Sequence, residues 1–232
     1  MLEIDSVDQF YGESQTLWDL SISVPKASCT CLMGRNGVGK TTTLKVVMGL
    51  LPIRNGSVRF GEQNLSDLPA EMRAESGIAY VPQGRQIFAR LTVEENLKIG
   101  LAINRGARGR RAYDRVLAAF PVLETMLHRF GGDLSGGQQQ QLSVGRALIL
   151  EPDLLILDEP TEGIQPNVVQ EIGDTIIRLN KQEGLTVLLV EQKLPLARRV
   201  ADRFCILDKG RVVSDGSIDA LNDDIVNRFL TV

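Results

Sequence analysis

Residues 34–41 read Gly-Arg-Asn-Gly-Val-Gly-Lys-Thr, and no other segment of this chain limits its fold so tightly. The octet fits the pattern G-x-x-x-x-G-K-[ST] at every position. It lies between a strand-like run, residues 28–33, and a run with helical character, residues 40–50. That order has a geometric reason. Glycines let the backbone curl closely around an anion, with N–H groups turned inward. The helix that starts behind them adds partial positive charge. Gly34, Arg35, Asn36, Gly37, Val38 and Gly39 would form this cradle. Lys40 can reach the β- and γ-phosphates of a nucleotide, Thr41 can hold Mg²⁺, and Thr42 continues the first helical turn.

At 232 residues the chain suffices for one large domain, or for one domain carrying an inserted subdomain. Its net charge of -3 gives no general electrostatic trap for nucleic acid. The opening Met-Leu-Glu-Ile-Asp is acidic and unlike a secretory leader. No run approaches the ~18 apolar residues of a membrane span. Cys29, Cys31 and Cys205 are expected as buried thiols in a reducing compartment, Cys29 and Cys31 on one face of a strand. With His128 as the only histidine, a thiol–imidazole metal site lacks ligands.

Short apolar runs alternate with helical ones. Strands are expected over 2–7, 17–24, 28–33, 57–60, 78–81, 154–157, 186–190, 203–207 and 211–214. Helices are expected over 40–50, 112–119, 138–150, 167–182 and 194–201. Leu-Leu-Ile-Leu and Val-Leu-Leu-Val look like strands buried on both faces, which predicts a mainly parallel sheet between helices. The first strands, with Gly12 between them, suggest an antiparallel flank. Residues 84–150 turn almost wholly helical and read as a subdomain inserted into a core of 1–83 and 151–232.

Two further motifs add chemistry. Leu154-Leu-Ile-Leu-Asp158-Glu159 is a buried strand that ends in two carboxylates, where such folds bind ligands. Asp158 can hold Mg²⁺. Glu159 can orient and polarise an attacking water, or can be a helix-capping or surface acid. Leu134-Ser-Gly-Gly-Gln138 opens a helix. Ser135 is a good N-cap type, and Gly136 and Gly137 leave backbone N–H groups uncovered ahead of Gln138. That is either a second anion site or an ordinary capped helix.

With these three motifs in this order, the chain resembles ABC-type ATPase subunits over essentially its whole length. The resemblance implies a P-loop NTPase fold of ABC type and a head-to-tail dimer. ATP would lie between one subunit's phosphate loop and the other's Ser135-Gly-Gly-Gln138, with Ser135 and Gly137 on the γ-phosphate in trans. It implies that Gln83, in Val81-Pro-Gln-Gly, senses Mg²⁺ and water, and that Tyr11 stacks on adenine. Phe10 and Trp18 are neighbouring aromatics, and core packing is the other reading of Tyr11. The implied partners are two membrane-spanning permease subunits, a second ABC ATPase (identical or not) and, indirectly, a periplasmic solute-binding protein. The implied location is peripheral, at the cytoplasmic face of the cell membrane.

The finer wording, Val81-Pro-Gln-Gly-Arg-Gln-Ile-Phe and Glu159-Pro-Thr-Glu-Gly-Ile-Gln-Pro among it, resembles urea importer ATPases. The related branched-chain amino-acid importers are one alternative, and they usually carry Pro-Glu-Gly-Arg where this chain has Pro-Gln-Gly-Arg; a soluble, non-transport ABC protein is the alternative of a different class. Gln192 stands at the family's usual switch histidine and Gln165 at its usual aspartate before Pro166. Glutamine can hydrogen-bond a γ-phosphate but cannot become a cation. Arg105, Arg108, Arg110, Arg111 and Arg115 form a charge cluster expected as a solvated loop. Anionic lipid or a membrane partner is its second reading.

Overall fold

The computed structural model describes residues 1–102 and 106–230. β1 (Leu2–Tyr11) and β2 (Ser14–Val24) form an antiparallel hairpin around Gly12. β3 (Cys29–Met33) runs into the glycine octet and then α1 (Lys40–Val47). β4 (Asn55–Phe60) returns beside β1, with the two-residue β5 (Gln63–Asn64) outside it. α2 (Ala70–Glu75) and β6 (Ile78–Val81) lead to a helical stretch: α3 (Val93–Leu101), α4 (Gly106–Ala119), α5 (Pro121–Glu124) and α6 (Gly136–Leu148). The chain then alternates through β7 (Leu154–Asp158), α7 (Pro166–Lys181), β8 (Thr186–Val190), α8 (Leu194–Val200) and β9 (Arg203–Asp208). It closes with β10 (Arg211–Ser217) and α9 (Asp223–Phe229).

Two sheets result. One is antiparallel, in the order β2-β1-β4-β5; the other has the order β10-β9-β3-β8-β7-β6. In the second, β9-β3-β8-β7-β6 are parallel and β10 is an antiparallel edge. Every residue of β3, β7 and β8 is buried. This explains their unbroken apolar wording, because both faces of these strands are covered. On one face Cys29, Cys31, Leu155, Leu157, Val187 and Leu189 meet the helical stretch and α7–α8. On the other, Leu32, Ile156 and Leu188 meet α1 and the first sheet. Burial pushes the thiols of Cys29 and Cys205 up to about 12 and raises that of Cys31 well above its ordinary value, so they serve as core.

Some elements differ from expectation. β1 extends past Val7 because Phe10 and Tyr11 pair with Gln15 and Ser14. α1 stops at Val47, where Arg73 donates to the carbonyls of Val46 and Val47 at 2.8 and 2.9 Å. The arginine cluster is helix rather than loop: α4 begins at Gly106, where arginine is a good helix former. Arg108 and Arg115 there pair with Glu151 and Glu183, each at 2.5 Å. Arg105 lies outside the described residues. α2, α3, α5 and α9 lie outside the helix ranges read from the sequence; α2, α5 and α9 are too short to show a full apolar stripe. Among the described residues no helix is long and apolar enough to cross a membrane.

Candidate nucleotide site

β3 delivers the chain to a loop that only glycine permits at its start. Gly34 has φ +145°, and a Cβ there would stand 2.4 Å from the Leu207 carbonyl oxygen. Gly37 and Gly39 also take positive φ. Gly39 sits at the α1 N-cap without a side-chain cap bond, so the first-turn N–H groups face the loop's hollow. Lys40 is buried and folds back over that hollow. Its Nζ donates to the carbonyls of Gly34 at 2.8 Å and Arg35 at 3.0 Å, and lies 3.5 Å from Glu159 Oε1.

The C-terminal ends of β6, β7 and β8 bring the carboxylates and amides to the same place. Gln192 Nε2 donates to Glu159 Oε1 at 2.6 Å and to Asn36 Oδ1 at 2.7 Å. Gln83 Nε2 donates to Glu162 Oε2 at 2.7 Å and to Glu159 Oε2 at 3.4 Å. Glu159 itself has φ +47°, a left-handed conformation that is strained for a side-chain-bearing residue. Its N–H is tied to the Val190 carbonyl at 3.0 Å. Thr16, Asn36, Gly37, Gly39, Lys40, Thr41, Thr42, Gln83, Glu159 and Glu162 line a cleft of about 330 Å³.

Asp158 lies beneath, almost fully buried. Its Oδ1 is buried without a hydrogen-bond partner, and Oδ2 accepts from the Tyr80 hydroxyl at 3.3 Å. Burial, helped by the Glu159 charge, raises its pKa, against the opposing Thr41 and Tyr80 hydroxyls and Lys40. An orphaned, buried carboxylate oxygen next to a threonine hydroxyl suits a hard divalent cation such as Mg²⁺.

Tyr11, at the end of β1, is exposed, and its hydroxyl lies 3.5 Å from Thr42 Oγ1. Guanidinium groups stand over two neighbouring aromatics, Arg54 over Phe10 and Arg211 over Trp18, and Trp18 is exposed as Tyr11 is. Ser135–Gln138 lies away from the cleft lining. Ser135 caps α6, accepting from the Gln138 N–H at 3.4 Å, while Gln138 Oε1 accepts from the Ser135 N–H at 2.9 Å. Gly136 and Gly137 have reasons within this chain: a Cβ would meet the Arg85 guanidinium at 2.8 Å or Val168 at 2.9 Å. α6 also holds the loop after Gln83, through Ser143 to Arg85 O at 2.5 Å and Arg146 to Gln86 O at 2.9 Å.

Sequence reasoning passed over Glu162, Tyr80, Thr16 and Glu191. Glu162 stands only three residues beyond Glu159, in the quoted Glu-Pro-Thr-Glu run, and was readable there. Tyr80 and Thr16 reach the site through strand register alone.

Comparison with known proteins identifies the family. Residues 17–162 match the family model described as ABC transporter. The high-affinity branched-chain amino acid transport ATP-binding protein BraG of Pseudomonas aeruginosa is 42% identical over 213 residues, covering 92% of this chain and 91% of the relative. The probable branched-chain amino acid transport ATP-binding protein LivF of Archaeoglobus fulgidus is 38% identical over 221 residues, covering 95% and 94%. A dimeric, post-hydrolysis ATP-binding cassette bound to ADP and Pi superposes with a TM-score of 0.85 at 25% identity, covering 94% of this chain and 99% of that one. The chain therefore belongs to the ABC transporter family, as one of its ATPase subunits.

Proposed function

We propose that this subunit hydrolyses ATP to drive import of branched-chain amino acids through a membrane permease. The carrying observation is the cluster of Lys40, Gln83 and Gln192 around the Glu159 carboxylate, at the mouth of a glycine cradle. In this reading the amides of residues 34–42 and the Lys40 ammonium take the phosphates. Lys40 exchanges its carbonyl partners for the β- and γ-phosphate oxygens. Tyr11 stacks on adenine. Thr41, Asp158 and Gln83 would hold Mg²⁺, which supplies neutralisation of charge on the phosphates. Glu159 orients the attacking water and accepts its proton as the bond between the β–γ bridging oxygen and the γ-phosphorus breaks, leaving ADP and phosphate. Gln192 contacts the γ-phosphate as a neutral donor.

The Ser135–Gln138 turn, outside the lining of its own cleft, would serve a partner's nucleotide in a head-to-tail dimer. The similar cassette, dimeric with ADP and Pi, supports a dimer as such. Residues 84–150 would act as the subdomain that answers two permease subunits at the cytoplasmic face of the membrane, with a solute-binding protein acting indirectly. BraG and LivF favour branched-chain amino acids over the urea that the finer sequence wording suggested. An uptake assay decides between them: vesicles with the cognate permeases, the second ATPase and binding protein should accumulate labelled leucine and not labelled urea. Urea accumulation without leucine would reverse the assignment.

A further inference from the structure

Glu191 is a carboxylate-bearing residue buried at the end of β8, one position before Gln192. Its two oxygens point to different loops. Oε2 accepts from the Thr161 hydroxyl at 2.7 Å, two residues beyond Glu159. Oε1 accepts from the backbone N–H groups of Gln192 at 2.8 Å and Lys193 at 2.9 Å. Lys193 then closes the loop, with Nζ donating to the Thr161 carbonyl at 2.8 Å. The Glu191 N–H is itself held by the Leu32 carbonyl at 3.3 Å. One buried side chain thus spans the Glu159 loop and the Gln192 loop, and it lines no part of the cleft.

We propose that Glu191 is a positioning residue for hydrolysis: its carboxylate clasps Thr161 to the Gln192–Lys193 backbone and so fixes the Gln192 amide against Glu159. This rests on the reading that Gln192 and Glu159 act on the nucleotide. The physical argument is one of freedom removed. Glu159 and Gln192 both sit on loops just past strand ends, and Glu159 is already in a strained conformation. A side-chain bond at 2.6 Å between two such loops keeps its geometry only if their backbones are fixed relative to each other. Displacement of a reacting group by about 1 Å can cost ~10²-fold in rate.

The chemistry also predicts which substitution is tolerated. In Glu191→Gln the amide oxygen can accept from the two N–H groups while the amide nitrogen donates to the Thr161 oxygen, whose hydroxyl turns round. All the links survive without the charge. Glu191→Ala removes them, leaving the buried Thr161 hydroxyl and the part-buried Gln192 and Lys193 N–H groups without this acceptor. Thr161→Val removes one link at nearly constant volume, and it serves should Glu191→Ala fail to fold.

The test is steady-state ATP hydrolysis by the assembled transporter, with kcat and KM separated, for these variants alone and combined with Gln192→Ala. Glu191→Ala and Thr161→Val should lower kcat about tenfold or more with KM for ATP within about twofold. Glu191→Gln should keep at least half the wild-type kcat. In the Gln192→Ala background, Thr161→Val should have no further effect, because the residue it positions is gone. Fully multiplicative losses in that double variant, or a Glu191→Gln rate as low as that of Glu191→Ala, would overturn the proposal. If Gln192→Ala alone left kcat unchanged, the reading of Gln192 itself would fall, which is a separate outcome.

Discussion

Gln192 Nε2 lies 2.6 Å from Glu159 Oε1, although the two residues are 33 positions apart and leave different strands. The same amide reaches Asn36 at 2.7 Å, so one neutral side chain joins the glycine loop, the end of β7 and the end of β8. ABC subunits usually carry a histidine here, and the amide makes the same kind of contact with no proton to gain or lose.

Hydrolysis should therefore show no titration from position 192 between about pH 6 and 8, where an unperturbed histidine changes charge. Gln192→His should introduce one, and Gln192→Ala should slow turnover while nucleotide still binds. A pH–rate profile of the three proteins checks this. An identical profile for wild type and Gln192→His would contradict it.

Asp158 should trade stability for function. Burial raises its folded-state pKa above the ordinary 3.8, so the ionised form is disfavoured by folding. By linkage, the native state gains from the protonated carboxyl at low pH. That gain is lost as pH rises from the unfolded value through the raised folded one. Asp158→Asn removes the buried charge, so the nucleotide-free variant should melt no lower than wild type at neutral pH while hydrolysis falls by ~10²-fold. Thermal melts across the acidic range, with turnover on the same samples, check both halves.

Arg73 should matter to stability alone. It is 3% exposed and donates to the carbonyls of Val46, Val47, Ser66 and Leu68. Arg73→Leu would remove the guanidinium from those four carbonyls, of which Val46 keeps the Gly49 N–H. It should cost about 2–4 kcal/mol in a denaturant titration. Turnover per folded molecule should be unchanged.

Much of this arrangement was legible in the residues. The octet, the paired carboxylates after four aliphatics and Ser-Gly-Gly-Gln each have local causes: glycine freedom, burial of a strand on both faces, and capping. The full burial of β3, β7 and β8 follows directly from their wording. What stayed hidden depends on contacts between distant segments. Nothing local links Gln83 to Glu162 or Thr161 to Glu191, because β-register and loop packing make those pairs. The arginine cluster misled for the opposite reason. Its glycines suggested a loop, yet the buried Gly109 lies within α4. The solute was least legible, since no residue of the cleft needs to touch it.

Ser135 should act only on a partner's nucleotide. It is absent from the lining of its own cleft, so Ser135→Arg should leave ATP affinity of the isolated monomer within about threefold of wild type. It should block ATP-driven dimerisation, since a bulky cation replaces a small hydroxyl at the α6 N-terminus. Nucleotide titration and size-exclusion chromatography with ATP check this. Loss of monomer binding in Ser135→Arg would refute the trans arrangement.

The most direct measurement of the whole account is turnover and nucleotide affinity of Glu159→Gln beside Lys40→Ala. Glu159→Gln keeps the shape of the side chain but removes the proton acceptor, so it should bind ATP like wild type and lose hydrolysis by ~10²-fold or more. It should also accumulate as an ATP-bound dimer. Lys40→Ala should instead lose tight ATP binding, because a charge-assisted phosphate contact disappears. Near-normal turnover in Glu159→Gln, with ATP bound, would contradict the placement of catalysis at Glu159.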